Sequence, residues 1–425
     1  MKKFLVLSSV LLCCLTMSAQ TSYELISAEP KFGFGNMFPY QPMDTLVSDA
    51  PKGFEPFYIS HFGRHGSRFD TQATSKLHIM EVLQKYHDKG MFTETGEQMY
   101  QDLLKIRKAT DGNEGTLTNL GGLEHRQIAD RMYRHYKTVF DNGKSVDTYS
   151  TTSGRVKESR ANFLAVLSQK APNLKIEEYL GKDDQRAIQE VIGRNMTKEE
   201  AETLDQNSTV VAYWEKIWEE WTPDQFPTLI FKDPSQVDNM KMFIYQVLGA
   251  VKCCYCMDDM PDMAKYFSTN ELYHCWRRAN LVWFSRHGIT PDNSGVRALV
   301  FGKNITEAII DDAQDAIRKP GKVAATLRFS HDGYLHPLAS YLDIEETNVA
   351  SLEAVTDHAR DFDIVRTGAN LQFIFYRNKK GVVLVKALRN EKECKISDLK
   401  PYEGNYYLWK DVKKFWENRN IESMC

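Results

Sequence analysis

Beyond Leu15 the chain has no apolar run long enough to cross a bilayer, so no integral membrane segment is expected in the mature protein. It has no surplus of basic charge either. The 54 lysines and arginines are outnumbered by 57 aspartates and glutamates, giving a net charge of -3, whereas nucleic-acid binders usually carry a basic excess. Internal repeats and low-complexity tracts are absent, which excludes solenoids and disordered linkers. The cysteines lack zinc-site spacing, because Cys253, Cys254, Cys256 and Cys275, even with His274, do not make two C-x-x-C pairs. What remains is an ordinary globular composition, 42% hydrophobic and 26% charged over 425 residues. That length suits two domains, or one large domain with an insertion.

The N-terminus has its own pattern. Lys2 and Lys3 precede an apolar run from Phe4 to Leu15, and small residues lead to Ala19. This predicts a secretory signal peptide over residues 1–19, and with it an exported protein, periplasmic or extracellular. The alternative is a buried N-terminal helix. A lipid anchor at Cys13 or Cys14 is disfavoured, since Leu12 and Cys13 are poor residues before a modified cysteine. Loss of Lys2 and Lys3 leaves 52 basic against 57 acidic residues, a charge of about -5. An anion site must then come from local arginines, not from a global positive field. Six cysteines remain: Cys253, Cys254, Cys256, Cys275, Cys394 and Cys425. Export would permit up to three bridges, in pairings the sequence does not choose, and buried thiols fit equally. Sequons at Asn195, Asn207 and Asn304 would carry glycans only in a eukaryotic secretory route.

Along the chain, Tyr23–Pro56 is rich in glycine, proline and aromatics and reads as an irregular lead-in on the surface. Phe57-Tyr58-Ile59 reads as a short buried strand, with a glycine turn after it. Apolar spacing predicts helices over Ser75–His87, with Leu77, Met80, Leu83 and Tyr86 on one stripe, and over Phe92–Lys108. A third helix follows Thr118, which is placed to cap it. Val146–Ser150 is a strand, and Ser153-Gly154-Arg155 turns into another helix. Residues 173–292 change character, with helical segments rich in charge and tryptophan and no run of strands. They read as a helical insertion that caps a core made of residues 20–172 and 293–425. Asn304–Arg318 is a helix, Val323–Ser330 a strand, and Tyr334–Leu342 a helix. Leu371–Tyr376 and Val382–Leu388 form a hairpin, and Trp409–Trp416 a last short helix.

The chemistry gathers at Arg64-His65-Gly66-Ser67-Arg68, two arginines bracketing one histidine. Paired guanidiniums suit a core poorly and a phosphate well. An imidazole with one unprotonated nitrogen is a competent nucleophile. The stretch resembles the RHGxR signature of the histidine acid phosphatases, the branch with phytases and multiple inositol polyphosphate phosphatases. Three further segments resemble that family in the right order. Leu117-Thr118-x-x-Gly121-x-x-Glu124 is similar to its LTxxGxxQ helix, with glutamate for the commoner glutamine. Ser150-Thr151 through Arg155 to Ser159 resembles the segment bringing a third phosphate arginine. Phe329-Ser330-His331-Asp332 resembles its second signature.

The resemblance implies an α/β fold, a largely parallel mixed sheet flanked by helices, with the helical insertion beside the site. It implies His65 as nucleophile and Asp332 as proton donor. Arg64, Arg68, Arg155 and His331 would bind phosphate. Turnover would pass through a phosphohistidine, with no metal and no organic cofactor. The partner would be a small-molecule phosphate monoester, phytate or another inositol polyphosphate. No oligomeric state is implied. Ala369–Arg377 and Val385–Lys392 resemble runs of the inositol polyphosphate branch, but His331-Asp332-Gly333 stands where that branch usually has His-Ala-Glu. Lys31, Arg134 and Lys386 are candidates for holding further phosphates. A second triplet, Arg286-His287-Gly288, has no arginine two residues on and reads as a loop. His61 reads as structural. Arg160, one turn beyond Arg155, competes with it for the phosphate role. Other readings stay open: a broad-specificity acid phosphatase, a phosphoglycerate-mutase-like transferase, or a non-catalytic exported anion-binding protein.

Overall fold

The strand that organises the molecule, β1 (Phe54–Arg64), is buried along its whole second half. A run covered on both faces marks a central strand of a sheet with helices on either side. It is longer than expected, since Gly63 lies inside it, opposite Phe329 and Asn370. Glycine is needed there for clearance: a Cβ would sit 2.6 Å from the His61 ring. His61 packs between Phe163 and Phe329 and is structural.

The computed structural model describes residues 20–41, 47–71, 74–141, 144–181, 184–185, 188, 208–290 and 296–419. The expected signal peptide with Cys13 and Cys14, the sequons at Asn195 and Asn207, and Cys425 lie outside them. Eight strands form one mixed sheet in the order β3-β2-β4-β1-β5-β6-β7, with β8 paired to β6. They are β2 (Ser145–Ser150), β3 (Lys175–Tyr179), β4 (Val323–Ser330), β5 (Asn370–Asn378), β6 (Val383–Arg389), β7 (Lys392–Cys394) and β8 (Tyr406–Leu408). β3, β2, β4 and β1 run parallel; β5 and β6 continue antiparallel from β1. The longer helices among the described residues are α1 (Thr74–Asp88), α2 (Glu94–Thr110), α3 (Asn119–His135), α4 (Gly154–Lys170), α5 (Ser208–Glu219), α6 (Met240–Ala250), α7 (Thr269–His287), α8 (Val296–Arg318), α9 (Asp332–Tyr341) and α10 (Trp409–Glu417).

Two expectations are corrected. The stretch 173–292 contains a strand: β3 adds to the sheet beside β2, so the helical part begins beyond it. Its helices pack on the rest of the chain. Trp218, Phe243 and Trp276 share a core with Ile79 and Leu83 of α1 and with Met99 and Leu103 of α2. The lead-in is not a surface wrap. Gly33–Met37 are buried in a tight helical turn packed on α7 and on Asp361–Ile364, and Gly33 leaves room for Leu272 of α7. Cys253, Cys254, Cys256, Cys275 and Cys394 are buried thiols. No helix among the described residues is long and apolar enough to cross a membrane.

Burial of imidazoles gives a pH prediction. His61, His125 and His336 are pushed down to about 3, in each case mainly by burial. The unfolded chain binds these protons near pH 6.5, while the folded chain refuses them until about 3. Stability is therefore intact above the unfolded value and is lost as pH falls below it. At pH 5 each imidazole should cost about 2 kcal/mol. Glu124 and Asp361, pushed up by burial, take up protons early and offset part of this. Urea unfolding at pH 7 and pH 5 should show a drop of roughly several kcal/mol; an unchanged free energy would contradict neutral burial.

Candidate active site

Register assembles the site. β4 lies between β2 and β1, all three parallel, with Arg64 opposite Ser330 and Ser150 opposite Phe329. Their carboxyl ends therefore finish level, and the residues that follow emerge side by side. Open α/β sheets bind ligands at such an edge. His65 N–H donates to the Ser330 carbonyl at 3.0 Å, and Thr151 N–H to that of Phe329 at 3.3 Å. α4 and α9 start at the same edge, and neither Ser153 nor His331 caps its helix with a side chain. Their first-turn N–H groups and positive dipole ends add to the attraction for an anion.

His65 is 2% exposed. Its Nδ1 lies 2.8 Å from the Gly66 carbonyl, which only accepts, so Nδ1 carries the proton and Nε2 keeps its lone pair. Burial first, then Arg64, Arg155 and His331, hold the imidazole well below its usual range. Its neutral form is favoured.

Arg64 and Arg155 act on it directly, and Arg68 acts on both of those guanidiniums. Arg64 Nη1 donates to the carbonyls of Asn36 and Val365, and Nη2 is 2.8 Å from Asp332 Oδ2. Arg68 Nη1 donates to the Phe69 carbonyl at 3.0 Å and stands 3.9 Å from Asp70. Arg155 Nη2 is 3.5 Å from His331 Nδ1. Burial, then the charges of Arg68 and Arg64, lower Arg155, an effect Asp332 partly offsets. Cations held within reach of one another are a strained arrangement that an anion relieves. Arg160 faces elsewhere, bonded to Thr148 Oγ1 and Glu178 at 3.1 Å.

His331 Nε2 is 3.2 Å from Thr151 Oγ1, and burial and Arg155 push the ring down to about 4. Asp332 opens α9. Its Oδ2 accepts from Asn36 Nδ2 at 3.0 Å as well as meeting Arg64, and its Oδ1 accepts from Gly333 N–H at 3.0 Å. Burial alone would raise this carboxyl. Arg64, Arg68, His331 and His287 outweigh burial and hold it below its usual range, so Asp332 is ionised at rest.

The turn after β1 rests on α3. Glu124, 1% exposed, accepts from Ser67 N–H and Oγ at 2.7 Å, Tyr40 N–H at 2.8 Å and Thr367 Oγ1 at 3.0 Å. All four partners can donate, which suits an acceptor-only carboxylate where glutamine would bring donors of its own. Thr118 caps α3 as expected, accepting from Gly121 N–H at 3.2 Å. A Cβ on Gly66 would lie 2.4 Å from the Gly121 carbonyl, and one on Gly121 2.1 Å from that of Ser67. The two backbones touch. Gly121→Ala is expected to lower stability by about 1–3 kcal/mol. It should also cut kcat/KM by roughly 10²-fold through misplacement of His65. Thermal melting and steady-state kinetics check both.

Several sequence expectations move. Arg286 and His287 end α7 and are not a loop. His287 stacks on Trp283 at 3.9 Å, and its Nε2 would lie 3.7 Å from a Cβ on Gly333, beside Asp332. Lys386 is fully buried against Glu393, Tyr406 and the Ser48 carbonyl, and so does not line the site. Arg134 sits in the last turn of α3, paired with Asp130, at the end away from His65. Lys31 lies over the Tyr255 ring at 5.2 Å. The residue missed altogether is Asn36. Its only sequence signal is Gly33-Phe-Gly-Asn36, a tight-turn composition that names no partner.

A family model described as the histidine phosphatase superfamily (branch 2) matches residues 62–390. No curated protein matches the chain. Among solved structures it is similar to a Bifidobacterium longum multiple inositol polyphosphate phosphatase in complex with phosphate, at 16% identity and a TM-score of 0.74, covering 91% of this chain and 97% of that one. The complex of that protein with inositol hexasulfate gives 16% identity and a TM-score of 0.70, covering 90% and 97%. A phytase from D. castellii gives 14% identity and a TM-score of 0.67, covering 93% and 87%. At these identities the likeness is one of fold.

Proposed function

The chain belongs to branch 2 of the histidine phosphatase superfamily, and from that premise we propose that it is an exported acid phosphatase that hydrolyses phosphate monoesters through a phosphohistidine on His65. The observation that carries this reading is a neutral, buried imidazole with an open Nε2 among Arg64, Arg68 and Arg155. Phosphoryl transfer needs little covalent help and much charge positioning.

In this reading phosphate oxygens bind Arg64, Arg68, Arg155 and His331. His65 Nε2 attacks phosphorus, and the bond to the leaving oxygen breaks. Asp332 donates its proton to the departing alkoxide. Water then attacks the phosphohistidine, gives a proton to Asp332, and frees phosphate and neutral His65. The resting carboxylate must first gain a proton. Substrate supplies the reason: phosphate draws Arg64 away from Asp332 and adds negative charge beside it. Both changes raise the carboxyl's proton affinity. A non-catalytic clamp has no use for an imidazole kept neutral.

The substrate class we favour is inositol polyphosphate or phytate. Its support is the fold shared with a protein solved with inositol hexasulfate, and the runs Ala369–Arg377, which lies along β5, and Val385–Lys392, which runs from β6 to the start of β7. The helices beyond β3 would wall the cleft and select the leaving group. The second reading is a broad acid phosphatase. It is favoured by the location of Lys386 and Arg134 away from the site, which leaves fewer cations for extra phosphates. Phosphate release from phytate and from a small monoester, compared across pH, separates the two.

A further inference from the structure

We propose that Asn36 is a positioning residue for the proton donor Asp332, clamping its carboxyl from the lead-in segment. The proposal rests on the phosphatase reading above. Asn36 is 8% exposed and uses three polar groups at once. Its Nδ2 donates to Asp332 Oδ2 at 3.0 Å, its carbonyl accepts from Arg64 Nη1, and its N–H donates to Asp361 Oδ2 at 2.9 Å. It therefore touches both members of the Arg64–Asp332 ion pair.

Its own place is fixed from the helical side. Asp361 Oδ1 accepts from Trp276 Nε1 at 2.9 Å, and Asp361 N–H donates to Asn280 Oδ1 at 2.9 Å. Trp276 and Asn280 lie on α7 and are buried. Gly35 permits the approach: it has φ +58°, and a Cβ there would be 2.6 Å from Asp361 Oδ2. The chain of contacts runs from α7 through Asp361 and Asn36 to the acid.

The chemistry asks for such a clamp. At rest Oδ2 has two donors, Arg64 and Asn36. When phosphate engages Arg64, the Asn36 amide remains. It carries no charge, so it holds Oδ2 in place and stops the carboxyl rotating without forcing off its proton. The titratable and charged groups facing Asp332 are Arg64 on β1, Arg68 just after it, His331 beside it, Arg155 on α4 and His287 at the end of α7. Asn36 is the uncharged donor to Oδ2, as the Gly333 N–H is to Oδ1.

Two variants test this, each assayed on an alkyl phosphate and on p-nitrophenyl phosphate, whose leaving group needs no proton. Asn36→Ala should lower kcat about tenfold or more on the alkyl ester. Its p-nitrophenyl turnover and phosphoenzyme yield should stay within about threefold of the parent. Asn36→Asp is isosteric and places a second carboxylate against Asp332. It should move the basic limb of the alkyl pH profile upward by about one unit. Equal losses on both esters, or a basic limb that stays put in Asn36→Asp, would overturn the proposal and leave Asn36 a structural residue. If Asn36→Ala does not fold, the pH limb of Asn36→Asp decides alone. His65→Ala serves as the control for the premise: activity retained there sinks the phosphatase mechanism itself, whatever Asn36 does.

Discussion

Replacing His65 with alanine is expected to lower hydrolysis of any phosphate monoester by about 10⁴-fold or more and to abolish an acid-labile phosphoenzyme. In the proposed reading, loss of the nucleophile removes the first bond-forming step. His331 is the nearest rival, with its ring centre 5.4 Å from that of His65. Its two nitrogens already face Thr151 Oγ1 and Arg155 Nη2. The arginines remain in the variant, so phosphate binding should persist while turnover disappears. A rapid quench into alkaline denaturant, in which phosphohistidine survives, reads the phosphoenzyme after mixing with labelled substrate, and titration with phosphate reads the binding. Turnover and phosphoenzyme retained in His65→Ala would end the assignment. Neutrality adds a further expectation. Because burial and Arg64 hold His65 far below its ordinary value, the acidic limb of the rate profile should not fall near pH 6.5.

Asp332→Asn should show the second large effect, and one that depends on the leaving group. On an alkyl phosphate kcat should drop by about 10²–10⁴-fold, because an alkoxide leaves badly without a proton. On p-nitrophenyl phosphate the loss should be small. Asparagine keeps the shape that Arg64 and Asn36 contact and removes the transferable proton. It also removes the charge that pairs with Arg64 at 2.8 Å. The guanidinium is then freer for phosphate, so inhibition by inorganic phosphate should strengthen. Equal losses on both esters would take Asp332 out of the acid role. Unchanged phosphate inhibition would mean that Arg64 does not change partners during turnover.

The sequence reading went furthest where signals are contiguous. β4 has the expected bounds, and Thr118 caps α3 as its place before Asn119 predicts. It went astray where neighbours are distant in the chain. Gly63 reads as a turn residue, yet it is a strand glycine that clears the His61 ring. Glycine-rich Gly33–Met37 reads as surface, yet it is buried against α7. β3, with its charged Lys175-Ile-Glu-Glu-Tyr179, lacks an apolar run because it is an edge strand, mostly exposed.

By itself the sequence determined which groups are available: an arginine-bracketed histidine, a third arginine, and a His-Asp pair, each following a stretch that reads as a strand. The tertiary structure alone decided their meeting, through the parallel register that ends β1, β4 and β2 together. It alone decided the protonation logic as well. His65 is neutral because it is buried among cations, and Asp332 is ionised because Arg64 lies across from it. Asn36 belongs to this second kind, since a side-chain amide acquires its role from what it touches. Local pattern encodes helices and strands through short-range sterics and periodicity. Charge state and partner choice depend on distances across the fold, which no window along the chain contains.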